Sequence, residues 1–374
     1  MSLRLSSRLL VGVSAMLALP AAIAADRVQV VTSFSILGDI VENVGGEHVD
    51  VTSLVGADSD SHVYSPRPGD ARALAEADLV VFNGLLFEGW MERLIESSDY
   101  KGPRVTATDG IEKLSYAGHS HDHGHDHDHG HDHEHDHDHG HDHDHGHDHD
   151  HGHDNEHDDD HGHDHDHGEF DPHAWQDMEQ ARVYITNIRD GLIKADEANA
   201  EEYRANADSY LAEMAEVDAE IRELISEIPS STSVITGHDS FGYFSNAYGI
   251  HFLSPVGLST EVEPSGASMA ELVDVINDQN VQALFHENMT NPAVIQQLSE
   301  ETGLPIAGTL YADALASEGD ASTYLGMMRH NAQTLHDSLA EPGHDDHEAD
   351  EGHDHDHDHD HDHDHDHDHS EHSH

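Results

Sequence analysis

The sequence predicts an α/β protein of two lobes, each with a parallel β-sheet flanked by helices, bridged by one long linker helix. Three observations lead there. Short apolar strands alternate with helical segments in both halves of the chain, the pattern of a parallel sheet covered by its crossover helices. Between the halves lies a long Ala- and Glu-rich stretch with helical spacing of its apolar residues, closed by Pro229. Of the 374 residues, only about 290 have the apolar content to pack, which suits two modest domains better than one.

The chain opens with MSLRLSSRLLVGVSAMLALPAAIAAD, in which Arg4 and Arg8 precede an apolar run from Leu9 to Leu19, followed by Ala22, Ile23 and Ala24 in an AxA pattern. This is the form of a secretory signal peptide, residues 1–24, cut after Ala24. The run is too short and wrongly flanked for a stable membrane anchor. In the N-terminal lobe, residues 25–195, RVQVVTSFSI reads as a buried strand, LGDIVENVG as a helix ending at Gly45, and HVDVTSLVG as a second strand. ARALAEA follows as a short helix, then LVVFNG and RVTATDG as a third and fourth strand.

From His119 to Gly168 stands an insertion, 119–168, of alternating His and Asp with scattered Gly and no apolar residue. Such a segment cannot bury enough surface to fold without metal. Order resumes at DPHAW, and helical spacing runs through Trp175, Met178, Ile185, Ile188 and Leu192. The linker helix is placed at residues 196–228, with Tyr203, Tyr210, Leu211, Met214, Val217, Ile221 and Leu224 in register; roughly 30 helical residues span about 45 Å. In the C-terminal lobe, residues 229–340, SVITG, IHFLSP, VQALFHE and PIAGTLY read as strands, and helices start at Ser240, Ser268, Asn291 and Ser322. A second His/Asp tract forms a tail, residues 341–374.

Fifteen Lys and Arg stand against 78 Asp and Glu, a formal charge of −63, and the body stays strongly acidic with both tracts set aside. That charge argues against nucleic acid or anionic membrane as a partner and makes cations the natural ones. Acidity of the body alone has a plainer reading as a solvated surface. The chain has no Cys, which excludes disulfides, thiolate metal sites and an acylated N-terminal Cys. Any metal site must therefore use His and carboxylate, and the mature chain is expected to be soluble, monomeric and periplasmic.

Outside the tracts the histidines are His48, His62, His173, His238, His251, His286, His330 and His336. In open α/β sheets ligands bind beyond the carboxyl ends of strands. His62 follows DVTSLVG, His238 follows SVITG and Asp313 follows PIAGTLY, while His173 lies at the turn where order resumes. Three imidazoles and one carboxylate make a set suited to Zn²⁺. Each of these histidines also has a plainer reading as a loop or capping residue, and Asp313 as a turn residue. His48 and His251 fall at strand starts and His330 and His336 in a helix, whereas His286 near a strand end is one further candidate.

At these residues the chain resembles the metal-specific solute receptors of zinc and manganese ABC importers, the cluster A-I binding proteins. The resemblance runs from Arg27 to Ala340 in five ordered stretches: DSDSHVYSPRPGDARALAEADLVVFNG, DPHAW, TGHDSFGYFSNAYGI, NPAVIQQLSEETGLP and LYADAL. It implies two α/β lobes bridged by a long helix, with the metal between them on His62, His173, His238 and Asp313. It also implies an ABC importer permease in the inner membrane as partner, and no enzymatic activity. The family usually has Pro before the first ligand His and often Glu before the Pro that follows, where this chain has Ser61 and Ser65.

Manganese-specialised members tend to carry Glu at the third ligand position, so His238 implies Zn²⁺ over Mn²⁺, and His-rich insertions before the DPH motif are similar to those of zinc receptors. Flexible alternation of His and Asp offers many weak, exchangeable metal sites, which points to zinc buffering beside the cleft. The competing readings are a manganese receptor, a free-standing zinc storage protein and a zinc hydrolase. Against the last, GxSxG does not occur, and the single HExxH match, His133 to His137, falls inside the His/Asp tract, away from the four candidate ligands.

Overall fold

A computed structural model describes residues 27–116, 170–262 and 264–340. The signal peptide expected at 1–24, the insertion at 119–168 and the tail at 341–374 lie outside the described residues. Two four-stranded sheets, parallel throughout, carry the same strand order: β2-β1-β3-β4 in the first lobe and β6-β5-β7-β8 in the second.

In the first lobe β1 (Val28–Phe34) pairs with β2 (Val49–Val55) and β3 (Leu79–Phe82), and β3 pairs with β4 (Arg104–Thr106). From Val30 to Phe34 every residue of β1 is buried, as expected of a strand covered on both faces. Helix α1 (Ser35–Gly45) starts directly from β1, so the last residues of the predicted strand, Ser35 and Ile36, are the first helical turn. Helix α2 (Pro68–Glu76) begins with Pro at its first position, where no donor is lost. Helix α3 (Met91–Ser98) was not predicted; it is short, and its buried residues are Met91, Leu94 and Ile95.

The predicted helix through Trp175 divides in two. Ala174–Gln176 is a single 3₁₀ turn, and α4 (Met178–Ala195) follows, its first turn capped by the Asp177 carboxylate on Glu179 N. The linker predicted at residues 196–228 is likewise a 3₁₀ turn, Glu197–Asn199, followed by α5 (Ala200–Ser226). Its 27 residues run about 40 Å. Tyr203, Ala207, Tyr210, Met214, Val217, Ile221 and Ile225 form its buried stripe, spaced by three and four as one helix face requires. This face packs on α1 and α4 in the first lobe and on α9 (Tyr324–Leu339) in the second.

The second sheet comprises β5 (Ser233–Ile235), β6 (His251–Leu253), β7 (Val281–Glu287) and β8 (Ile306–Leu310). Helices α6 (Gly242–Tyr248), α7 (Gly266–Asp278) and α8 (Ala293–Thr302) start within two residues of the expected positions. A large apolar core runs from the first sheet through α1, α4, α5 and α9 to one face of the second sheet. A smaller core around Ile235, Leu272, Leu284, Ile295 and Leu298 fills the other face, under α7 and α8. Both lobes belong to one compact unit ending at Ala340, joined by apolar packing rather than by a thin hinge.

Candidate metal centre

His62, His173, His238 and Asp313 come together. One ligand atom from each lies within 4.8 Å of the others, and all four residues are buried. His62 stands on the loop after β2, His238 three residues past β5, and Asp313 three residues past β8. His173 is held at the base of the 3₁₀ turn, whose Gln176 N donates to its carbonyl at 3.1 Å. The centre thus forms at the carboxyl ends of the strands, between the lobes.

Asp313 Oδ2 lies 3.2 Å from His62 Nε2 and 3.0 Å from His238 Nε2, and Oδ1 lies 3.6 Å from His173 Nε2. None of these contacts has hydrogen-bond geometry: the three Nε2 atoms and both carboxylate oxygens are buried with no hydrogen-bond partner. Buried polar atoms are almost always paired. These five unpaired atoms belong to four residues that together could hold a metal ion.

Two of the rings are braced from behind. His173 Nδ1 is 2.7 Å from Asp171 Oδ1, and His238 Nδ1 is 2.9 Å from Glu287 Oε2. An ionised carboxylate only accepts, so each Nδ1 carries its proton and each Nε2 is left to face the centre. The same carboxylates also accept from backbone, His173 N at 2.9 Å and His238 N at 3.1 Å, fixing ring and main chain together. The His62 ring has no such carboxylate behind it. Its backbone N–H donates to Asp60 Oδ1 at 2.8 Å, and its carrier loop is fastened to the second lobe. There Asp58 accepts from Asn288 Nδ2 and Ser317 N, each at 3.0 Å, and Asp60 accepts from Thr260 Oγ1 at 2.6 Å. Just before His62, the Ser61 carbonyl accepts from Trp90 Nε1 at 2.8 Å.

Charge and burial act against each other here. Burial holds the His62 imidazole below its usual pKa. Burial also opposes protonation of His238, but the Glu287 and Asp313 carboxylates outweigh it and raise that pKa well above the ordinary value. For Asp313, burial opposes ionisation, yet the imidazoles, His238 foremost, hold the carboxyl well below the carboxylate range.

Phe87 lines the centre edge-on, 4.8 Å from the His62 ring and 5.8 Å from the His173 ring, with Trp175 and Phe34 behind it. Its loop holds Leu85 and Leu86 at φ of 54° and 64°, left-handed conformations unfavourable for branched residues. Glu88 secures that loop by accepting from Ser33 Oγ, Asn83 N and Gly84 N. Asn83 in turn donates to the Pro172 carbonyl at 2.9 Å, next to His173.

His286 does not join the centre: it lies on β7 with its Nδ1 buried and unpartnered. His48, His251, His330 and His336 are also elsewhere. Glu47, His48 and Glu202 form the other grouping of ligand-type atoms among the described residues, at the surface. Sequence reasoning missed Asp171, Glu287, Phe87 and Glu88. The nearest signal for Asp171 was its place two residues before His173; for Glu287, a lone carboxylate ending an apolar strand.

The family model described as ZnuA, zinc-uptake complex component A, periplasmic, matches residues 30–338. The manganese-binding lipoprotein MntA of Halalkalibacterium halodurans is 30% identical over 319 residues, 84% of this chain and 90% of that protein. The manganese ABC transporter substrate-binding lipoprotein PsaA of Streptococcus pneumoniae is 26% identical over 326 residues, 84% of this chain and 89% of that protein. Among solved structures, the periplasmic zinc-binding protein TroA from Treponema pallidum superposes with a TM-score of 0.69 at 25% identity, over 84% of this chain and all of that one. A manganese-bound periplasmic metal-binding protein from Candidatus Liberibacter asiaticus gives 0.66 at 25% identity, with the same coverage. The chain belongs to the ZnuA family of metal-binding receptors that serve ABC importers, a transport family and not an enzyme family.

Proposed function

We propose that this member of the family is a high-affinity zinc receptor that captures Zn²⁺ in the periplasm on His62, His173, His238 and Asp313. It delivers the ion to the permease of an ABC importer in the inner membrane. The observation that carries the reading is the set of five buried, unpartnered atoms facing one another. Leaving such groups unpaired costs roughly 1–3 kcal/mol each, a penalty that a bound cation removes.

Three imidazoles and a single carboxylate suit zinc better than manganese, which prefers oxygen ligands. Tetrahedral zinc with bonds of about 2.0–2.1 Å separates its ligands by about 3.3–3.4 Å. The separations of Asp313 Oδ2 from His238 and His62 Nε2, 3.0 and 3.2 Å, lie close to that value. Four protein ligands also close the sphere, leaving no position for the water a zinc hydrolase needs.

A manganese receptor is the second reading, favoured by the relatives named for manganese and by both Asp313 oxygens facing the centre. The core shared between the lobes argues against wide hinge closure, so release proceeds through the His62 loop. The His/Asp tracts are read as a buffer of weak sites that raises zinc near the cleft.

Competition titration of the full chain with Zn²⁺ and Mn²⁺ against a chelator, beside His238→Ala, tests the reading. One tight, zinc-preferring site above a background of weak ones is expected, and the variant loses it. A tight site that survives the substitution contradicts the ligand set; tighter binding of Mn²⁺ selects the second reading.

A further inference from the structure

Asp313 differs from the braced histidines in having no side-chain partner behind it. Both its oxygens face the centre without a hydrogen bond, so its position is set through its backbone. The Ala312 carbonyl accepts from Trp175 Nε1 and from Gln176 Nε2, each at 2.9 Å. Trp175, Gln176 and Ala312 are all completely buried. The two donors come from the turn directly after His173, and Tyr324 at the start of α9 donates to the Trp175 carbonyl in return.

One carbonyl with both lone pairs engaged therefore ties the His173 segment to the Asp313 segment across the lobes. Gln176 Oε1 is buried without a partner, and exchanging the two ends of the amide would set oxygen against oxygen at Ala312. The residue is there for its donor.

We propose that Trp175 and Gln176 determine the metal preference of the centre, an inference that rests on the receptor reading above. By fixing the peptide between Ala312 and Asp313 they set where the Asp313 backbone stands, and so how far its carboxylate reaches toward the three imidazoles. In that pose Oδ2 is the nearer oxygen, 3.0 and 3.2 Å from two imidazole nitrogens, and Oδ1 stands off at 3.6 Å from the third. One oxygen with three nitrogens gives the four-ligand set of zinc. A backbone shift that carries the carboxylate nearer lets Oδ1, which already faces the centre, join as a fifth ligand and an added oxygen, the change that favours Mn²⁺. The clamp on Ala312 opposes that shift.

The test uses the full chain carrying Gln176→Leu or Trp175→Phe, titrated with Zn²⁺ and Mn²⁺ under chelator competition, with the His238→Ala protein supplying the background of the tracts. Each variant is expected to keep one tight site per chain while its zinc-over-manganese preference falls about tenfold. X-ray absorption at the zinc edge should show the coordination number rising above four. An unchanged ratio, or an equal loss for both metals, overturns the proposal and leaves the two residues a purely structural role. Trp175→Phe keeps an aromatic ring in the core, so it answers the question if Gln176→Leu fails to fold. A wild-type protein with no site that His238→Ala removes would sink the receptor reading as well, and so is distinguishable from failure of the clamp alone.

Discussion

Near the carboxyl edge of the first sheet the buried glutamate is Glu88; near that of the second it is Glu287. The sheets share one strand order, and each glutamate accepts from a serine hydroxyl and from backbone N–H. Their remaining partners differ. Glu88 takes Ser33 Oγ, Asn83 N and Gly84 N and so shapes the strained loop that carries Phe87. Glu287 takes Ser240 Oγ at 3.0 Å, His238 N and the His238 ring, and so aims a ligand. The same topology thus places a carboxylate for shape in one lobe and for chemistry in the other.

Replacing each glutamate should separate the two roles. Glu88→Ala strands three buried donors and should lower the stability of the metal-free protein by roughly 3 kcal/mol or more, read from urea unfolding. Zinc affinity of the molecules that remain folded should change less than tenfold. Glu287→Ala should do the reverse in emphasis, weakening zinc binding about 10–100-fold by freeing the His238 ring. Comparable affinity losses in the two variants would erase the distinction.

The ends of α5 offer a finer version of the comparison. His48 contacts Glu202 near its start in the first lobe, and His336 Nε2 lies 2.7 Å from Glu227 just past its end in the second. Hydrogen bonding to Glu227 raises the His336 pKa above 6.5. A raised folded-state pKa contributes stability that is fully present below about pH 6.5 and disappears as pH climbs through the folded value. His336→Ala should therefore cost a few tenths of a kcal/mol at pH 5.5, small because the pair is largely solvated. The cost should be nil at pH 9. A cost that grows with pH would show that the contact works by packing instead.

Much of this architecture was legible because parallel strands buried on both faces read as apolar runs, and β1, β3, β5 and β7 are such runs. The overshoot at Ser35 and Ile36 arose because α1 follows β1 with no turn and no side-chain cap at Phe34, so nothing polar marks the boundary. Helix α3 is eight residues long and follows a loop of left-handed leucines, with no capping signal to announce it. His62, His238 and Asp313 were visible because they stand just past strands. His173 stands just before a 3₁₀ turn, and its place depended on the DPH motif. Glu287 and the Trp175–Gln176 contact to Ala312 were not legible, since what each does is set by a partner brought up by folding, whereas Asp171 was missed although its partner His173 is two residues away. For the contacts to Ala312 that partner lies more than 130 positions away.

The central claim is that two residues from each lobe, and not the conspicuous His/Asp tracts, make the single tight metal site. The most direct measurement is an anomalous difference map at the zinc edge from crystals of the full chain grown with one equivalent of Zn²⁺. The account predicts one strong peak within about 2.0–2.2 Å of His62 Nε2, His173 Nε2, His238 Nε2 and an Asp313 oxygen, with no water on the ion. Zinc absent from that point, or present there with His62 turned away and water in its place, would contradict it.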